Sequence, residues 1–356
     1  MRTGRLIDVS GVTEADLDVE HLEDLLRRLS SENLRGICHE LSLPTSAPNK
    51  DAYVERILSK ADLGHLLEVV PRHEYHGGYN YLCLYRCLDH QLSRCESADQ
   101  LTECLSEYGL QGYINSLDHI RNRETGLVYI TMEEEERKVY FEYVDYKAVL
   151  RLAPQAGDDG PLQLVPTRLR YPVVVVLNQD RGLLQVRLNG YTYNPVSDRI
   201  TTADYARDVT HYLEEFAATV GVTVEPLEWR TLVRELASVE DNALIFSQKD
   251  LMPAVGGYLS LKDKDQGLVP FLRRLEERIK QRMDAQSPGS GASFNLVDII
   301  NEIEMDSNMP RVHLISPDGR IAVKIELAEG REFIYFGASP DEEEIDYVVS
   351  AICKCL

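Results

Sequence analysis

Between Gly126 and Leu188, apolar segments follow one another, and three of the four connections, at six residues or fewer, are too short to hold a crossover helix. Leu127–Met132 and Val139–Val144 alternate in polarity around the charged turn Glu133-Glu134-Glu135-Glu136-Arg137-Lys138 and read as a hairpin. Leu162–Leu169, Val173–Leu177 and Leu183–Leu188 supply further strands, the last two joined by Asn178-Gln179-Asp180-Arg181-Gly182. Direct succession of strands predicts an antiparallel sheet, not the strand–helix alternation of a parallel one.

Helical spacing dominates what comes before. Leu22, Leu25, Leu26 and Leu29 recur as one face of an amphipathic helix, and Leu63, Leu66, Leu67 and Val70 continue the pattern up to Pro71. Leu82 to Cys95 and Ala98 to Tyr108 read as two more helices, and Arg5–Val9 as a short opening strand. After the sheet, Asp204 to Val220, Leu232 to Ala237 and Leu268 to Met283 return to helix, with a short strand at Val222–Val224. Ser287-Pro288-Gly289-Ser290-Gly291-Ala292-Ser293 has the composition of a linker. Beyond it lie a helix at Leu296–Ile303, strands Val312–Ile315, Ile321–Leu327 and Phe333–Phe336, and a closing helix from Pro340. The expected class is α+β, with a helical amino-terminal region, a central antiparallel sheet with helices and a small carboxy-terminal α/β unit. The expected divisions are 1–70, 71–125, 126–286, a linker at 287–293, and 294–356.

The chain of 356 residues carries a formal charge of −21. Such a charge favours solubility and opposes long-range attraction to nucleic acid or an anionic membrane, so contact with a polyanion has to be local. The excess is uneven. From Ala292 onward thirteen acids face five bases, whereas residues 31–60 hold four of each and are neutral. The longest strongly apolar run, Val173 to Leu177, is far short of a membrane span. The first residues lack the apolar core of a signal peptide, and seven irregularly spaced cysteines suggest reduced thiols. The expected location is cytoplasmic.

The neutral stretch has a legible design. Ser31 can cap a helix whose apolar positions Leu34, Ile37, Cys38 and Leu41 share a face. Leu43-Pro44 ends that helix, and Asn49 can cap a second one with Ala52, Tyr53, Ile57 and Leu58 as inward positions. The string Leu34-Arg35-Gly36-Ile37-Cys38-His39-Glu40-Leu41-Ser42-Leu43-Pro44-Thr45-Ser46, followed by Lys50 and Val54-Glu55-Arg56-Ile57-Leu58, resembles the SAP module, a helix–extended–helix unit that is often DNA-binding. Ser42 stands where that family has a glycine before Leu-Pro, and Ala47-Pro48 where it has a second one. The resemblance implies that Lys50, Arg56 and the amides opening the second helix meet phosphates. Thr45 and Ser46 would add hydroxyl donors, and Arg35 lies within the same matched string.

Other constellations are weaker. His73, His76, Cys83 and Cys87 form a conceivable zinc set, with Cys83 and Cys87 on one helical face, but the spacing is not that of a metal knuckle. Glu142 with Asp145-Tyr146-Lys147 has the acid-x-Lys spacing of a metal-dependent nuclease element. Arg273, Arg274, Arg278, Lys280 and Arg282 give the helix at 268–283 a basic face balanced by Glu276, Glu277 and Asp284. Asp341-Glu342-Glu343-Glu344 sits in the first turn of the last helix, where acids favour the helix dipole. No phosphate-binding glycine loop, metalloprotease helix or nucleophile elbow is present, and no cofactor is expected.

The leading expectation is a non-catalytic accessory protein that recognises nucleic acid or a nucleoprotein partner through residues 31–60. Its acidic domains would make protein contacts, and the SAP resemblance implies a DNA-processing or defence assembly as the setting. A metal-dependent nuclease or phosphoesterase centred on Glu142, Asp145 and Lys147 is the rival. A scaffold that docks other proteins through its amino-terminal helices is the third reading.

Overall fold

A computed structural model describes residues 19–27, 29, 31–62, 65–66, 69–70, 73, 79–88, 91–115, 125–154, 162–189, 202–238, 244–253, 258–262, 268–286, 296, 299–300, 303, 307–328, 331–337 and 340–356. The expected strand at Arg5–Val9, the linker at 287–293 and most of the helix expected at 296–303 lie outside them. The chain is α+β and folds as two compact units. One comprises 1–227 with 339–342, the other 228–338 with 343–356.

The first unit opens with α1 (Val19–Leu26), α2 (Ser31–Glu40) and α3 (Lys50–Lys60). Their apolar faces meet in one cluster: Leu22, Leu25, Leu26, Leu34, Ile37, Cys38, Tyr53, Val54 and Ile57 are all buried, together with Leu66, Val69 and Val70. Helices this short do not hold alone, and the shared cluster supplies the missing stability.

The end of α2 shows how the link to α3 is set. Ser42 adopts φ +54°. Its N–H donates to the carbonyl of His39 at 3.0 Å, and the Leu43 N–H reaches back to the carbonyl of Cys38 at 2.7 Å. This is a Schellman closure, with Leu43 packed on the cluster beneath it. A serine therefore occupies the left-handed position that glycine takes at no steric cost.

The rest of the unit is a sheet of β1 (Tyr81–Cys87), β2 (Gly126–Glu133), β3 (Lys138–Pro154), β4 (Leu162–Asn178), β5 (Leu183–Leu188) and the short β6 (Val224–Pro226), with α4 (Ala98–Ser106) and α5 (Thr202–Val220). The strand order is β2-β3-β4-β5-β1, with β6 also on β1, and every pairing is antiparallel. One face carries Phe141 and Tyr143, which meet Phe216 and Tyr212 of α5 at ring distances of 4.9 and 5.6 Å. Gly221, at φ +68°, closes α5.

Two sequence expectations need correction here. Leu82–Cys95 is not a helix. It is β1 followed by a single 3-10 turn at Gln91–Arg94. β1 is flanked by β5 and β6 and buried on both faces, so it loses the polar alternation that marks a half-exposed strand. The two strands expected at 162–169 and 173–177 are one continuous strand. Pro172 sits inside it, one residue beyond the last β4–β5 pair at Val173, where a missing N–H is tolerated.

The second unit contains α6 (Trp229–Ser238), β7 (Ile245–Pro253), β8 (Leu259–Lys262), α7 (Leu268–Gln286), β9 (Ser307–Ile315), β10 (Ala322–Ala328), β11 (Arg331–Phe336) and α8 (Glu342–Cys353), whose first residue belongs with the first unit. Its strands run β11-β10-β9-β7-β8. Val312, Leu314, Val323, Ile325, Ile334 and Phe336 are buried, as are Ile345, Val348, Val349 and Ile352 of α8. The sequence reading contained neither β7 nor β8. Register shifts at Phe246/Gln248 and Asp250/Met252 break the period of two in β7, and its Lys249 and Asp250 are buried. No helix among the described residues is long and apolar enough to cross a membrane.

Replacing Ser42 by glycine removes the left-handed strain at the end of α2. The gain is partly offset by a looser unfolded chain, leaving about 0.5–1 kcal/mol of added stability. A urea titration would show it as a higher midpoint at an unchanged slope, and a lower midpoint would contradict the assigned closure.

Candidate functional site

Residues 31–60 form a helix, an extended link and a second helix, and α3 side chains fix the link. Asn49, in an extended conformation, caps α3 by accepting the Ala52 N–H at 2.9 Å. The Tyr53 hydroxyl donates to the carbonyl of Thr45 at 2.8 Å. Arg56 donates to the carbonyls of Pro44 and Ser46, and its guanidinium lies 5.9 Å from the Tyr53 ring centroid. Three successive link carbonyls are thus held by two residues of α3.

This places the expected contact residues unequally. Arg35 is exposed on α2, and Thr45 and Ser46 are exposed on the link. Lys50 opens α3 half-buried. Burial pulls its ammonium below the usual lysine range and nearby Arg27 pulls the same way, while Asp51 opposes both. Arg56 is engaged by the link, so its first role is to shape the surface. Arg27 pairs with Glu23 and with Asp51. The large apolar side chains that are exposed, such as Leu88, Tyr113, Met252 and Tyr258, lie elsewhere, so residues 31–60 offer a polar surface.

His73 meets this unit from outside it. Its Nε2 lies 3.1 Å from a Glu40 carboxylate oxygen, and its carbonyl accepts from Asn33. A Cβ on Gly36 would come within 2.8 Å of the His73 ring, which accounts for a glycine inside α2.

A second concentration of charge lies on the sheet face opposite α5, and the sequence reading missed it. On β3, Lys138, Tyr140 and Glu142 are buried at alternate positions; on β5, Gln185 and Arg187 are fully buried at alternate positions. The register aligns Tyr140 with Val176 and Gln185, and Glu142 with Val174 and Arg187, which puts all of them on one face. Gln185 accepts from Arg187 Nε at 3.0 Å and Nη2 at 2.7 Å, which orients the guanidinium plane. The two Nη groups then grip both carboxylate oxygens of Glu342, Nη2 at 3.0 Å from Oε1. Lys138 Nζ donates to Glu342 Oε1 at 2.7 Å and to Glu136 at 3.0 Å. The Tyr140 hydroxyl lies 3.1 Å from Glu342 and 3.2 Å from Glu133, and its one proton serves one of them. Burial, followed by the charge of Glu342, raises the Tyr140 phenol well above its ordinary pKa, so it remains a donor.

Sequence gave little warning of this cluster. Polar residues alternating with apolar ones on β3 and β5 look like solvent-facing positions. Glu342 looks like one acid of four at a helix start. The clue was that the polar positions recur on both strands of the same sheet.

Among the described residues, the acids and the thiols of the rival sets lie apart. Glu142 and Asp145 are three apart on a strand whose pairing with β4 is unbroken, so they project to opposite faces. Glu142 lies on the buried charged face, while Asp145 accepts its neighbour's N–H at 2.7 Å and bonds Tyr212 of α5. The side chain of Lys147 is outside the described residues. Cys83 and Cys87 lie on β1, where four residues separate them by about 13 Å, too far to share one ion. Burial raises the Cys87 thiol, and it carries that of Cys95 up to about 11, so both stay protonated at neutral pH. On α7, Arg273, Arg274, Arg278 and Arg282 are exposed, and Lys280 pairs with Glu276.

No protein-family model matches the sequence, and no curated protein matches it significantly.

Breaking the fork between Arg187 and Glu342 leaves a buried charge without its partner. Arg187→Met is expected to cost about 3–5 kcal/mol by urea denaturation, and Arg187→Lys a substantial part of that, because an ammonium cannot span both oxygens. Adding Glu342→Gln to Arg187→Met should cost much less than the two single changes together. Strict additivity would show that the pair is not coupled.

Proposed function

We propose that this chain is a non-catalytic accessory protein that recognises nucleic acid, or a nucleoprotein partner, through residues 31–60. The observation that carries the reading is the fixed link between α2 and α3. Its backbone is immobilised by Tyr53 and Arg56, while the side chains of Thr45 and Ser46 remain exposed. A preformed polar edge of this kind suits phosphate contact, with Arg35 and Lys50 supplying charge. Local neutrality supports the reading too, because the rest of the chain holds the −21 excess and would repel a polyanion. Seven free thiols fit a reducing compartment such as the cytoplasm.

Affinity on this reading is modest and strongly salt-dependent. Arg35→Glu and Lys50→Glu should each weaken binding of a labelled oligonucleotide. Each should also flatten the plot of log affinity against log salt by about one unit per lost phosphate contact. Arg56→Ala should weaken binding as well, but with a loss of thermal stability that the charge reversals do not share. Absence of any shift with duplex DNA, single-stranded DNA or RNA at low salt would sink direct recognition. Unaltered co-purification of partner proteins with the Arg35 and Lys50 variants would remove the nucleoprotein version as well.

A further inference from the structure

The pairing of β3 with β4 runs much further than the sheet around it. β2 pairs only with Lys138–Val144 of β3, and β5 only with Val173–Asn178 of β4. From Asp145 to Pro154 and from Leu162 to Tyr171 the two strands pair with each other, and no third strand joins them among the described residues. Ten residues on each strand make an arm roughly 30 Å long at about 3.3 Å per residue.

Its sequence is unlike the rest of the chain. Between Tyr146 and Pro154, and between Leu162 and Tyr171, stand Lys147, Arg151, Arg168 and Arg170 and no acid at all. Acids appear only at the base, Asp145, and in the connection across the tip, Asp158 and Asp159. The register places Lys147 opposite Leu169, Arg151 opposite Val165, Ala148 opposite Arg168 and Tyr146 opposite Arg170. Each strand therefore carries two cations, and no cation faces another across the ladder.

We propose that this arm is a duplex-DNA contact, a two-stranded ribbon that enters the major groove with two cations from each strand meeting the phosphates on either side. The dimensions agree. Two strands lie about 4.8 Å apart, and a major groove about 12 Å wide admits a two-stranded ribbon. Charge selects the partner, since a local surplus of four cations along the strands of a chain with net charge −21 is complementary to a dense polyanion. The inference rests on the nucleic-acid reading above and adds a second contact, specific for duplex.

The test uses the full chain and a labelled 25-base-pair duplex, with fluorescence anisotropy read across a salt series. One variant carries Lys147→Gln, Arg151→Gln, Arg168→Gln and Arg170→Gln. A second replaces residues 147–169 by Asn-Gly, which joins the paired residues Tyr146 and Arg170 in register and leaves the pairings of β3 with β2 and of β4 with β5 untouched. Both should lose about tenfold or more in duplex affinity, with a salt slope lower by about two to four units. Affinity for a single strand of the same length should change far less.

An unchanged duplex affinity and slope in either variant, with the wild-type circular dichroism spectrum retained, overturns the arm. So does a wild-type chain that binds single strands only. In both cases a loss on Arg35→Glu or Lys50→Glu would leave the function assigned to residues 31–60 standing. The same cations would also keep two open strand edges from pairing with another sheet. Increased self-association of the glutamine variant without loss of duplex binding would assign them that role and reject the contact.

Discussion

Arg187 is fully buried, and a guanidinium cannot give up its charge, so the first unit is arranged around the need to answer it. Gln185, two residues earlier on the same strand, sets the plane, and Glu342 supplies both oxygens of a fork. Lys138 and Tyr140 converge on the same carboxylate from β3. A residue 155 positions later in the chain is thereby fastened to the face of the sheet that α5 leaves open. Replacing such a cluster by apolar side chains of the same size is often neutral or stabilising, so the cost of losing one partner measures the charge left unanswered more than the worth of the whole cluster. The fork fixes the position of Glu342, the first residue of α8.

Legibility in the sequence followed burial pattern. Amphipathic helices announced themselves: the leucines of α1 and the apolar stripe of α2 fall where helical spacing put them. Hairpins with one solvated turn were equally plain, and β2, β9 and β10 lie close to expectation, whereas β3 begins where expected and runs ten residues past Val144 to Pro154. Strands buried on both faces were not, because they lack alternation, and the apolar run of β1 is indistinguishable in sequence from that of a buried helix. β7 was missed because two irregularities reset its period and because Lys249 and Asp250 sit at buried positions. The residues proposed for nucleic-acid contact could be read from a motif-like string, yet the engagement of Arg56 with the link could not. A side chain that binds backbone carbonyls has no signature in residue type.

Charge is partitioned along the chain in a way that gives the fold its functional logic. Acids crowd the carboxy-terminal part, residues 31–60 are balanced, and the distal strands of β3 and β4 are basic. A strongly acidic protein approaches a polyanion only through such exceptions, and repulsion from the remainder orients the encounter. The balanced stretch and the basic arm belong to the same compact unit.

The fixed link between α2 and α3 also limits how this surface can change over generations. Tyr53 and Arg56 hold the carbonyls of Pro44, Thr45 and Ser46, not the side chains of Thr45 and Ser46. Those two side chains are therefore free to vary without loosening the loop, whereas a substitution at Tyr53 or Arg56 alters shape and preference together. The shape of residues 44–46 is thus written in two side chains of α3 and not in their own.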